Sequence, residues 1–122
     1  MAHTTVISNP IAEQTTALIT ATLTDELDAA IPKSGLDTVR FTLYDAVTGT
    51  VINSRSAVDV MSSVDSAGVI TMTLGTADTA LGSQQNSRER RVAYFQWTYG
   101  QSGEKVGRHE VRFTVQNMDK VP

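Results

Sequence analysis

The chemistry open to this 122-residue chain is narrow. Histidine, the side chain that most often moves protons or binds metal near neutral pH, occurs only at His3 and His109. A zinc or catalytic role for His109 needs partners at matching spacing, and the sequence groups none with it. It reads as an exposed or hydrogen-bonded histidine at a strand edge. No serine stands in G-x-S-x-G, and neither common glycine-rich nucleotide loop is present. Acid pairs such as Asp25 and Glu26 flank turns, where carboxylates usually cap backbone amides or face water. The residues therefore predict no catalytic set, no metal site and no cofactor.

Two stretches could bind rather than react. "RERR", Arg88 to Arg91, invites a phosphate reading, but an acid interrupts it and the net charge is −3. It reads as a solvated loop at one end of the domain, with Arg88, Arg90 or Arg91 available to hold a carboxylate of a protein neighbour in parallel hydrogen bonds. Tyr94, Trp97 and Tyr99 could make a sugar-stacking platform. Because Trp97 and Tyr99 alternate in phase with Phe95, core is the better reading. Val92 and Tyr94 point the other way and, with Leu18, are candidates for a second apolar face that meets a partner.

Composition sets the frame for these residues. The length corresponds to one domain able to bury a core of its own. Without cysteine there are no disulfides or thiolate sites, and the redox compartment stays open. The small negative charge names no partner, and nucleic acid is not expected. No apolar run is long enough to span a membrane, and Met1 to Pro10 lacks the pattern of a signal peptide, so the chain reads as cytosolic at synthesis. Abundant threonine and valine favour strands.

Residues 1–15 show no clear period and contain Pro10; they read as an arm that orders on a partner, with Val6, Ile7 and Ile11 as apolar anchors. The domain follows over 16–122. "TALITATLTD" alternates as a first strand, and "DTVRFTLYDAVTGTVI" reads as a hairpin. "SAVDVM" fits a helical turn or a short strand. "DSAGVITMTLG" is a turn and a strand, and "TADTAL" offers Thr76 as the cap of a single helical turn. "GSQQNSRERR" reads as a mobile loop. "RVAYFQWTY" and "RHEVRFTVQ" form the closing hairpin around "GQSGEK", predicting one core of Phe95, Trp97, Val111 and Phe113 with Phe41, Leu43 and Ile19. Six to seven short strands predict an all-β, immunoglobulin-like antiparallel β-sandwich, with a small closed barrel as the other arrangement.

Three segments carry a resemblance: "FTLYDAVTGTVINSR", "DSAGVITMTLGTADTAL" and "RVAYFQWTYGQSGEKVGRHEVRFTVQNM". Their order over Thr16 to Met118 resembles that of immunoglobulin-like structural proteins of tailed-bacteriophage virions, and is similar in layout to the N-terminal domains of baseplate and fibre adaptors. The resemblance implies a non-enzymatic virion component that binds capsid, portal, neck or tail proteins as a decoration, cement or head-to-tail collar subunit, oligomeric in the particle. A tail-fibre or baseplate module that binds a receptor or carbohydrate is the alternative, and an enzyme ranks third. No functional residue is carried over, because that family has no catalytic set to match.

Overall fold

The computed structural model describes residues 2–120, with side chains over 4–119. Eight strands follow one another: β1 Ala2–Val6, β2 Ile11–Ala12, β3 Ala17–Thr22, β4 Leu36–Asp45, β5 Val58–Asp59, β6 Val69–Leu74, β7 Arg88–Tyr99 and β8 Lys105–Gln116. The larger sheet runs β1-β8-β7-β4-β5, with β2 also on β8, and the smaller is β3-β6. Consecutive strands β3 and β4 lie in different sheets, so the chain crosses between the two layers. The protein is an all-β sandwich of eight strands, its larger sheet mixed rather than wholly antiparallel. Two separate sheets exclude the closed barrel.

Alternation builds the layers. On β7 the odd residues Ala93, Phe95, Trp97 and Tyr99 face inward, together with Val39, Phe41 and Leu43 of β4 and Val111, Phe113 and Val115 of β8. Ile19, Ala21, Ile70, Met72 and Leu74 cover them from the smaller sheet. Phe41 and Phe95, paired across the strands, tilt together with ring centroids 5.1 Å apart. The expected core is present in full.

The N-terminal segment departs from the expectation of an arm. β1 and β2 both pair in parallel with β8, at Val6↔Arg112 and Ile11↔Val115. Five residue steps on the N-terminal side face three on β8, so the chain bulges between the two strands, where Pro10 has no N–H to offer. The physical reason for the pairing is the outer edge of β8, which β7 leaves free. A segment with little period still satisfies its backbone there. Ile7 and Ile11 pack at the margin of the core.

Three further readings change locally. "SAVDVM" is both things at once, β5 followed by a 3-10 turn at Met61–Ser63. The second strand expected after "DAVTG" shrinks to a single bridge, Tyr44↔Val51. "TADTAL" forms a turn rather than a helix, and Asp78, not Thr76, is its cap: Asp78 Oδ2 accepts from Gly75 N at 2.8 Å. A buried carboxylate with several donors outcompetes a hydroxyl for that role.

Gly68 ends the turn that leads into β6. Its φ is +85°, and a Cβ there would stand 2.0 Å from the Ile31 carbonyl oxygen. Gly68→Ala is expected to lower stability by roughly 2–3 kcal/mol. The measurement is a urea midpoint; one equal to wild type would contradict the close approach.

Candidate functional site

The outer face of the larger sheet is built from the other phase of the same strands. Cross-strand rows place Tyr44, Val92, Arg112 and Val6 side by side, then Thr42, Tyr94, Glu110 and Thr4, then Arg40, Gln96 and Arg108. Tyrosines and Val92 make the centre. Arg40, Arg88, Arg90, Arg108 and Arg112 surround it, against the two acids Glu110 and Asp59. Glu110 holds Arg112 at 2.8 Å, and Tyr94 Oη donates to Gln96 Oε1 at 3.1 Å. Burial and the Glu110 carboxylate push the Tyr44 phenol up, so it stays a neutral hydrogen-bonding group at neutral pH. Aromatic centres with arginine around them suit protein recognition, since both residue types combine large contact area with directed polar groups.

At one end of the sandwich the inward phase of β7 turns polar. Arg91 and Glu89 stand two and four residues before Ala93; Arg91 is fully buried, and Glu89 is nearly so. The Arg91 guanidinium donates to the Glu89 carboxylate at 2.5 Å, to Ala80 O at 2.8 Å and to Asp78 O at 3.3 Å. Its Nε makes no hydrogen bond and lies 3.9 Å from Asp45 Oδ2. Glu89 also receives Gly82 N at 2.9 Å, Ser83 N at 3.1 Å and Asn86 Nδ2 at 2.8 Å. Burial opposes its ionisation, but these donors together outweigh burial and hold the carboxyl down to about 2. Next to it, burial raises and donors lower the Asp78 carboxyl; Arg55, Asn53 and Gly75 N prevail, so it too is lowered.

This cluster explains why "GSQQNSRERR" is not a mobile loop. Its first half wraps the Glu89 carboxylate, Asn117 Nδ2 ties down Gln84 O and Asn86 O, and its second half already belongs to β7. Arg91 is thereby corrected from a surface contact to a structural residue. Val92 is corrected as well: it points outward, as expected, yet is completely covered by its neighbours on the sheet. Counting the alternation of Ala93, Phe95 and Trp97 back by two and four residues would have found Glu89 and Arg91. Sequence reasoning missed them because charged side chains are rarely enclosed.

The remaining site residues fall in separate places. Arg88 and Arg90 are exposed and Tyr94 is half-buried on the outer face, with Val6 at its edge. Leu18, 64% exposed, stands on the smaller sheet, on the opposite side of the sandwich, so it shares no face with Tyr94. Trp97 lies in the core, with its Nε1 donating to Thr24 O at 3.0 Å, which removes the three-aromatic sugar platform. The side chain of His3 lies outside the described residues. His109 is half-buried in the middle of β8, not at an edge, and Thr5 Oγ1 lies 2.9 Å from its Nε2. It borders an open cleft of about 520 Å³ between the sheets, lined by Thr4, Thr20, Thr22, Thr24 and Asp28. Among the described residues no group of histidines and acids is placed to hold a metal ion, and no helix is long and apolar enough to cross a membrane.

Comparison of the chain with protein-family models, with curated proteins and with solved structures returns no match in any of the three.

Proposed function

We propose that the chain is a non-enzymatic structural component of a tailed-phage virion, binding head or neck proteins as a decoration, cement or collar subunit. The binding half of this reading is carried by one observation. The face formed by β4, β7 and β8 presents Tyr44 and Tyr94 at its centre with arginines around them, on the three longest strands of the molecule. A face on long, mutually paired strands is held rigid, so little ordering entropy is lost when a partner covers it. The placement in a virion is supported by the strand and turn pattern described under Sequence analysis.

Gradient fractionation of particles released from the host that carries the gene tests this reading. The wild-type chain is expected to sediment with intact particles. Tyr94→Ser removes the central ring without entering the core, and is expected to lower occupancy on particles at least tenfold at an unchanged thermal midpoint. Wild-type chain found only in the soluble fractions would overturn the proposal.

A further inference from the structure

At one end of the outer face the sheet forms a groove of about 260 Å³. Val6 and Ile7 wall it on the β1 side, and Ala46 and Val47 on the β4 side. Arg90, Arg112 and Thr114 come from the two strands between. With strands β8 and β7 separating the walls, the groove spans about 14 Å, enough for an extended chain or one turn of helix.

Three properties of this groove are unusual for an ordinary patch of surface. Val6 and Val47 are 68% and 78% exposed, two large aliphatic side chains facing water from opposite walls. No acidic residue lines it, and Arg90 forms no ion pair among the described residues, although the chain as a whole carries a net −3. The Val47 wall is also fixed in advance: Asp45 Oδ1 accepts from Val47 N at 2.9 Å and Thr48 N at 3.0 Å, and Ala46 N bonds to Arg90 O at 2.9 Å. The loop that carries the apolar wall is thus tied to the strand that carries the free arginine.

We propose that this groove takes an acidic segment of a partner protein, seated by an aliphatic side chain between Val6 and Val47 and held by a carboxylate on Arg90, the Arg112 guanidinium beside it being already paired with Glu110. The inference rests on the reading that the outer face binds protein. Charge complementarity decides the occupant: a neutral apolar segment would bury Arg90 unpaired, whereas a carboxylate pairs with it in a directed, bidentate way. A nucleic acid strand would meet the arginines but leave both valine walls against a charged backbone.

The test uses the intact chain and a random peptide library displayed on yeast, and is independent of particles. Selected sequences are expected to be rich in Asp and Glu around a Leu, Ile or Val. A synthetic peptide of the selected sequence should bind, and Arg90→Glu or Val47→Asp should each weaken it at least tenfold, with thermal midpoints unchanged. Leu27→Ser, 84% exposed in the connection between β3 and β4, should leave affinity within about twofold. No enrichment, enrichment of neutral or basic sequences, or indifference to Arg90 and Val47 would overturn the proposal. So would an oligothymidine that binds as tightly as the peptide. Failure of this selection with wild-type chain still present on particles would remove the groove while leaving the proposed function standing.

Discussion

Glu89→Gln is expected to destabilise the protein by about 3–5 kcal/mol, the loss typical of a buried ion pair broken on one side. Gly82 N, Ser83 N, Asn86 Nδ2 and the Arg91 guanidinium all converge on this carboxylate as donors. An amide offers them one oxygen and turns an N–H₂ on the rest, leaving the fully buried Arg91 charge without its counterion. The pH dependence carries the same signature. The Glu89 carboxyl is held at about 2 in the fold, against 4.5 for the ordinary group, so its contribution is complete above about pH 4.5 and is lost as pH falls toward 2. That contribution is on the order of 3 kcal/mol. Urea unfolding at stepped pH should show wild-type stability falling through this window, and a shallower fall in Glu89→Gln. Asp78, lowered in the same direction, keeps some acid sensitivity in the variant. Parallel curves for the two proteins would contradict the anchoring role of Glu89.

Trp97→Ala is expected to cost a further instance of the same magnitude, about 3–5 kcal/mol, for different reasons. The indole is completely buried, and its removal also leaves Thr24 O without its donor. Space for the ring comes from across the ladder: Trp97 pairs with Gly107, where a Cβ would lie 2.3 Å from the indole nitrogen. Gly107→Ala in the wild-type background should therefore destabilise by roughly 1–3 kcal/mol through overpacking. In the Trp97→Ala background the same change should be nearly neutral, because nothing remains for the methyl to strike. A double-mutant cycle by chemical denaturation checks this. Additive costs would show that Gly107 is not there to admit the ring.

The two predictions mark the limits of what was legible in the residues. Trp97, Phe95, Phe41 and Val111 could be placed because apolar and polar side chains alternate with a period of two wherever one sheet face is buried. Glu89 and Arg91 obey that same alternation, but a charge in the core phase looks like a surface residue until its counter-charge and its loop are known. Those partners, Gly82 to Asn86 and Asn117, come from two other parts of the chain. The N-terminal segment escaped for a related reason. Edge strands that pair on one side and face solvent leave little periodicity, and their partner, β8, is about a hundred residues away. Of the candidate site, Tyr94 lies on the outward phase of β7, as its alternation with Phe95 predicts, while Arg88 and Arg90 are exposed but stand on β7 rather than in a loop. Register buries Arg91, and sheet membership puts the exposed Leu18 on the far side of the sandwich from Tyr94. The turn residues Ala46 and Val47, which complete the groove, carry no signal beyond "DAVTG" and acquire their place only when Asp45 and Arg90 fix the loop.

The central claim is that this sandwich is a stoichiometric part of a particle, and counting copies tests it most directly. Isotope-standardised mass spectrometry of gradient-purified virions should find the wild-type chain at a fixed ratio to the major capsid or neck protein, unchanged between preparations and through a salt wash. A ratio that varies from preparation to preparation, or that falls to zero as purity increases, would contradict it.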